Sequence, residues 1–472
     1  MPRHLSKTLI WTTIVACLAS IQYGYHMAEL NSPGSSLSCL ADTPVPGRTY
    51  LNTWMYKLGL KQCISMDEQG LGMVTSVFSV GGLISSLYAG WLADKIGRKW
   101  TTALNSVIFF AGSLIVTFAN NYSVFILGRF IGGMAAGCGI VVTPLLINEI
   151  SPHHLKGSLG SMNQVAINLG ILLTQVLAIQ LANSIDWRYL MLVGAVLALF
   201  NFVAVLTIDE SPKWLSDKGY TAKAKQVQDK LRCEQLSQSL LSTVEEGAED
   251  VGDDDESTPT TTVTLNTYMY DPIYRNSLIV VTAILAGQQF CGINSVVFYG
   301  VNTIRKLTSP QNAVIINCFI SLGNALITFF SAPYIDKNGR KPCMLLSVGI
   351  MGVASTLIAV GNIYGIALVT VIFTFLYVAA FAIGLGPIPF LMISELTQPE
   401  AKGAAQSYGT SVNWIATFMV GYFFPILDAS IGGYLYFIFA GVCLGFVYYL
   451  DRKVPETKGH KTYEEVWSLR LD

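Results

Sequence analysis

Side-chain amides recur along this chain inside otherwise apolar sequence: Gln164, Asn168 and Gln175 in one run, Gln288, Gln289 and Asn294 in another, then Asn324 and Asn413. An amide both donates and accepts hydrogen bonds, as a hydroxyl does, so such a set suits a neutral, hydroxyl-rich solute. Gln164, Asn168, Ile171 and Gln175 fall at i, i+4, i+7 and i+11, one stripe of a helix. Gln288, Gln289 and Asn294 cannot share a face of a straight helix, because six residues turn it by roughly 600°. Gly287 and Gly292 bracket them, and a local break there would gather them. Gly384, Gly386, Pro387 and Pro389 predict a second broken helix. A separate, ionic chemistry is offered by Gln22, His26 and Glu29, at i, i+4 and i+7, with Arg129 the one base inside an apolar run. Charges at that depth mark functional sites or proton relays. The chain has no phosphate-binding loop, no nucleophile paired with a base and no spaced metal ligands, so neither an enzyme nor a metal or other cofactor is expected.

The elements that must position these groups follow from composition. Of 472 residues 52% are hydrophobic and 12% charged, too apolar for a soluble domain of this length. A bilayer needs roughly 20 apolar residues per helix, and twelve such runs occur, the first near 8–30 and the last near 433–450. Six precede and six follow a polar segment. The expectation is an all-α multi-pass membrane protein with a six-helix bundle in 1–207, a cytoplasmic linker in 208–275, a second six-helix bundle in 276–450 and a tail in 451–472. With both termini in the cytoplasm, 22 Lys and Arg lie on that side and six outside, as insertion favours. Short helices are expected in the linker, followed by an acidic run from Glu245 to Glu256 that reads as a solvated tether. A net charge of -1 points to no nucleic-acid partner, and a monomer in the lipid bilayer is expected.

The two halves are copies. GWLADKIGRK at Gly90–Lys99 returns 242 positions later as APYIDKNGRK at Ala332–Lys341. Each copy keeps an acid ahead of an arginine, Asp94 with Arg98 and Asp336 with Arg340. Glu149 and Lys156 are seven apart, as are Glu395 and Lys402, while Glu210 and Glu456 follow the last span of each half. Acids at matched positions are not explained by flanking bases alone; pairing between helices, made and broken as a face shuts and opens, would bias a two-state equilibrium. Internal duplication of membrane segments is the mark of a secondary transporter. Cys39 and Cys63, in the long external loop, are the candidate disulfide.

The phrases GWLADKIGRK, GRFIGG, PLLINEISP, ESPKWL, QQFCGIN, GPIPF and PETKG together resemble the sugar porter family of the major facilitator superfamily from the first span to the last. Within it, the Tyr23–Asn31 stretch is similar to a small fungal branch that includes a vacuolar protein sorting-associated member. The resemblance implies two bundles around a central hexose cavity, in which Gln175, Gln288, Gln289, Asn294, Asn324, Phe390, Asn413 and Trp414 bind the sugar. Ala382 stands where glucose facilitators carry glutamate, and Phe390 where they carry tryptophan, which points away from glucose itself. Proton-coupled members carry aspartate at the position of His26, paired with the arginine. Like charge and desolvation both favour a neutral ring beside Arg129, so uniport is the expected mode, with Glu29 the rival proton carrier. A non-transporting sugar sensor and a vacuolar trafficking accessory are the alternatives. The vacuolar or the plasma membrane is the expected location.

Overall fold

The computed structural model describes residues 6–152, 156–231, 263–458 and 463–468. The acidic run of the linker lies outside them. All regular structure among the described residues is helical. Ten stretches are long and apolar enough to cross a membrane. One of them, Pro399–Lys453, contains two helices, Lys402–Ile431 and Leu435–Lys453. The helix Lys7–Ala28 completes twelve spans; its Thr, Ser, Gln and His residues, turned into the bundle, dilute its hydropathy. Spans one to six form one bundle and spans seven to twelve the other.

Local sequence sets where helices start and break. Ser6, Asp67, Asn121 and Ser309 cap spans one, two, four and eight through side-chain oxygens that accept early backbone N–H groups. Span seven is two helices, Arg275–Phe290 and Ile293–Arg305, joined at Gly292 with φ 100°. That is a left-handed conformation which glycine adopts without strain. Span ten likewise breaks between Ala367–Ile383 and Ile388–Glu395, at the Gly-Leu-Gly-Pro stretch.

Close helix approach is built on glycine. A Cβ on Gly170 or Gly24 would overlap the backbone of Ile21 or Ile167, so spans one and five touch main chain to main chain. Small-residue contacts of this kind replace the hydrophobic drive that lipid removes. The linker helices Pro212–Asp217 and Thr221–Leu231 rest on the first bundle, where Trp214 Nε1 donates to the Asp94 carbonyl at 2.9 Å. Helix Leu265–Tyr270 rests on the second, its Tyr268 buried. The two ends of the spans are called below the charged face, which carries the linker, and the disulfide face.

Candidate solute cavity and ion cluster

A narrow cavity of about 90 Å³ lies at mid-depth between the bundles, tighter in this closed arrangement than the usual small-molecule site. Gln288, Gln289, Asn294, Asn324, Phe390 and Asn413 line it, together with Gln164 and Asn168 of the span-five stripe. The break in span seven gathers its amides. Asn294 Nδ2 donates to Gln289 Oε1 at 2.6 Å, and Gln289 Nε2 to Gln288 Oε1 at 3.3 Å. Gln288 Nε2 donates in turn to the carbonyls of Leu385 (2.8 Å) and Gly386 (3.1 Å), which the break in span ten leaves free. Asn413 Nδ2 closes the network on Gln288 Oε1 at 2.8 Å. Two broken helices and span eleven thus hold one preorganised set of donors and acceptors. No charged side chain among the described residues lines the cavity.

Two expected residues stand elsewhere. Gln175 is fully buried one level above the cavity, where its Oε1 accepts from Ser32 Oγ at 2.9 Å. Trp414 is not in the lining; its ring is held edge-on by Tyr23 and Phe78 of the first bundle, at 5.9 and 6.3 Å between centroids. It wedges the bundles together rather than offering a face to solute. Conversely, Asn31, Asn317 and Ser321 line the cavity and were not singled out from sequence. Asn317, Ser321 and Asn324 repeat the i, i+4, i+7 stripe logic on span eight, a signal available in the sequence.

The cavity is shut on the disulfide face. Asn31 Oδ1 accepts from Val301 N at 3.0 Å and its Nδ2 donates to the Val296 carbonyl at 3.3 Å, across the bundles. Arg305 Nη1 donates to Ser35 Oγ at 2.7 Å. At mid-depth Asn168 Nδ2 donates to Thr328 Oγ1 at 2.7 Å, and Asn324 Nδ2 to Asn168 Oδ1 at 3.3 Å. Among the described residues no ion pair crosses between the bundles.

His26, Glu29 and Arg129 meet, but not as a histidine beside an arginine. Glu29 lies between them: its Oε2 is 2.9 Å from His26 Nδ1 and its Oε1 2.5 Å from Arg129 Nη1. Arg129 Nη1 also donates to the His26 carbonyl at 2.9 Å, and the guanidinium lies 4.6 Å over the Phe78 ring. The trio is buried and outside the cavity lining.

The duplicated charges pair within each bundle. Arg98 grips both Glu149 oxygens, at 2.9 and 2.7 Å, and Asp94 at 2.9 Å. Arg340 reaches Glu395 at 3.1 Å and Asp336 at 3.6 Å. Glu210 and Glu456 do other work. The Glu210 carboxylate accepts the backbone N–H of Arg98 and Lys99, and that of Glu456 the N–H of Arg340 and Lys341, so each caps the start of a helix. The next residue in each phrase, Ser211 or Thr457, places its hydroxyl on Glu149 or Glu395. Gly97 and Gly339 make room: both have φ near 97° (98° and 96°), and a Cβ there would strike the capping carboxylate. Burial pushes the Glu210 carboxyl above its ordinary range, while the N–H donors pull it back. Lys402 is exposed and joins no ion pair among the described residues, and the side chain of Lys156 lies outside them. Cys39 and Cys63 form a disulfide, with 5.4 Å between Cα atoms.

Two matched six-helix bundles around a mid-membrane polar cavity, sealed on one face, are the architecture of a membrane carrier of the major facilitator type. Comparison with known proteins agrees. The profile of the family described as "Sugar (and other) transporter" matches residues 12–467. The chain belongs to that family. A probable metabolite transport protein of Saccharomyces cerevisiae is 46% identical over 464 residues, 98% of this chain and 95% of its own. Vacuolar protein sorting-associated protein 73 of the same yeast is 38% identical, over 97% and 96%. Among solved structures, the xylose transporter XylE of E. coli, partially occluded and inward open, superimposes with a TM-score of 0.76 at 22% identity, over 97% of this chain and 100% of that one. Family and fold are those of membrane transporters.

Proposed function

We propose that this chain carries a hexose or a related neutral polyol across the membrane by alternating access, as a uniporter. The observation that carries the reading is the uncharged amide network of Gln288, Gln289, Asn294 and Asn413 facing the cavity. Gln164, Asn168, Asn324 and Phe390 complete the site, the ring offering a face for sugar C–H groups. Four to six hydrogen bonds at a net of about 1 kcal/mol each suffice for millimolar binding, near -4 kcal/mol. Uniport is supported by the separation of the ions from the cavity: Glu29 and Arg129 pair with each other and neither lines it. The pseudo-symmetric halves 1–207 and 276–450 act as the rocking units, with 208–275 the linker and 451–472 the tail. Both termini face the cytoplasm and the chain works as a monomer. A relative named for vacuolar protein sorting supports the vacuolar membrane, with the plasma membrane the alternative.

The test is purified protein in liposomes with labelled hexoses, pentoses and polyols. Saturable uptake of at least one is expected, and Gln289→Ala reduces it to background. No uptake of any of them, with no saccharide binding by calorimetry, refutes the reading.

A further inference from the structure

The long loop between spans one and two folds into a lobe on the disulfide face. It contains two short helices, Gly34–Leu37 and Trp54–Lys57, and the Cys39–Cys63 bridge closes it. Its anchors reach the ends of spans three and six of the first bundle. Asp186 holds Arg48 bidentately, at 2.6 and 2.9 Å, while Thr43 and Ser184 exchange bonds, Thr43 N to Ser184 Oγ at 2.8 Å and Ser184 N to the Thr43 carbonyl at 3.2 Å. Trp187 Nε1 donates to the Gln62 carbonyl at 2.7 Å, Arg188 Nη2 to that of Lys61 at 2.8 Å, and Asn120 Nδ2 to that of Gly59 at 3.1 Å. Within the lobe, buried Tyr50 donates its hydroxyl to the Leu60 carbonyl at 2.8 Å. A loop held at so many points is ordered before anything binds it, so a ligand meets it without the cost of ordering.

The lobe encloses an open cleft of about 490 Å³, larger than the closed mid-membrane cavity and of the size that takes a small molecule. Tyr56 and Leu51 line it and are 51% and 57% exposed, the Tyr56 ring set edge-on to Tyr50 at 6.3 Å between centroids. An aromatic ring so presented has an apolar face for C–H groups and a hydroxyl at its tip. The polar lining is balanced in charge. Arg48 is already neutralised by Asp186, which leaves Asp42 and Lys61, neither in an ion pair among the described residues. Asp42 gives one oxygen to Ser184 Oγ at 2.6 Å. An anion drawn by Lys61 is repelled by Asp42, and a cation meets the reverse, so neither gains on balance. A hydroxyl gains from both, donating to the carboxylate and accepting from the ammonium.

We propose that this cleft is a second saccharide site, which binds a short neutral oligosaccharide at the disulfide face and does not transport it. Tyr56 and Leu51 take the C–H face of a ring, and Asp42 and Lys61 take its hydroxyls. No residue of the cleft lines the mid-membrane cavity. The volume accommodates more than one pyranose ring, whereas the cavity between the bundles, at about 90 Å³, does not. The anchors of the cleft walls, Asn120, Ser184, Asp186, Trp187 and Arg188, all belong to the first bundle. The cleft therefore keeps its shape whichever face of the carrier is open, and its affinity is independent of the transport cycle. Such a site fastens the protein to a saccharide rather than moving one. Its ligand chemistry is taken from the cleft alone and does not rest on the solute proposed for the cavity.

The test is calorimetric titration of the full chain in lipid nanodiscs with maltotriose and cellotriose, one α-linked and one β-linked. Saturable binding of at least one is expected, with Kd on the order of 1 mM. Tyr56→Ala removes the exposed ring and none of the anchors, and should weaken binding roughly tenfold, while Tyr56→Phe, which keeps the face, should retain it. Asp42→Asn keeps an oxygen for Ser184 and should weaken binding about fivefold. Position is read by thiol modification, in a chain whose unpaired cysteines are replaced by serine. The bound trisaccharide should slow an impermeant reagent at Leu51→Cys, in the cleft, and leave its rate unchanged at Leu58→Cys, which is 62% exposed on the same lobe but outside the lining. Binding of neither trisaccharide, full affinity in Tyr56→Ala, no protection at Leu51→Cys, equal protection at Leu58→Cys, or displacement by millimolar inorganic phosphate overturns the proposal. None of these readouts requires transport, so their failure is distinct from failure of the proposed uptake.

Discussion

Asn31→Ala should release the disulfide face. Its side chain is 1% exposed and makes two bonds across the bundles, at 3.0 Å from Val301 N and 3.3 Å to the Val296 carbonyl. Those backbone atoms are five residues apart on one helix, Ile293–Arg305, so the amide ties span one to consecutive turns of it. Alanine leaves Val301 N–H and Val296 C=O dry while the face is shut, but water meets them once it opens. The penalty therefore falls on the closed state alone. At about 1 kcal/mol per buried bond the equilibrium shifts by about 2 kcal/mol, on the order of thirtyfold. The Arg305–Ser35 bond at 2.7 Å lies nearer water, so Ser35→Ala should shift it by about 1 kcal/mol, roughly fivefold. The assay is modification of a cysteine placed at Val297, in the cavity lining, by an impermeant thiol reagent applied at the disulfide face. Asn31→Ala should raise the rate in proportion to the open population. A rate within about threefold of the parent means that Asn31 does not bear the closure, and the reasoning from buried bond count fails.

The twin charge clusters differ in burial, and their variants should differ too. Arg98→Ala strands Glu149, whose side chain is 5% exposed, and should cost about 3–5 kcal/mol; Arg340→Ala faces a Glu395 that is 26% exposed and should cost about 1 kcal/mol. Thermal unfolding in detergent ranks them, and equal losses contradict the burial argument. Reduction of Cys39–Cys63, 24 residues apart, should remove about 3 kcal/mol of loop-closure stabilisation and lower the melting temperature. An unchanged melting point in reductant shows the loop to be held by Trp187 Nε1 on the Gln62 carbonyl and Arg188 on that of Lys61 without the bridge.

The spans were legible because lipid demands apolar runs of fixed length, and the break in span seven because three amides could not otherwise share a face. Depth was not legible. Gln175 shares the stripe of Gln164, yet eleven residues of rise, about 16 Å, carry it past the cavity to Ser32. A helical pattern gives the face of a residue and says nothing of where along that face the solute sits. Trp414 escaped for another reason: an aromatic ring suits a sugar, but Tyr23 and Phe78 that capture it belong to the other half of the chain. Glu210 and Glu456 looked like partners for lysine or arginine. Only the fold brings them to the backbone N–H groups of a helix start, a partner with no side-chain signature.

Duplication produced two bundles with the same charge cluster, and they have since taken different loads. The first keeps its spans unbroken, buries Arg98 against Glu149 with exposures of 6% and 5%, and holds the Glu29–Arg129 pair at its centre. The second has both interrupted spans, and its Arg340 and Glu395 are 16% and 26% exposed. A buried ion pair resists separation because each partner would be left uncompensated, whereas a glycine break concentrates bending at a few dihedrals. The amides that face the solute are concentrated at those breaks, so a bound sugar can bear directly on the hinges of the second bundle. Rearrangement should accordingly concentrate in spans seven and ten, swinging against a first bundle that stays whole, with Asn31 the point where the fixed half meets the moving one.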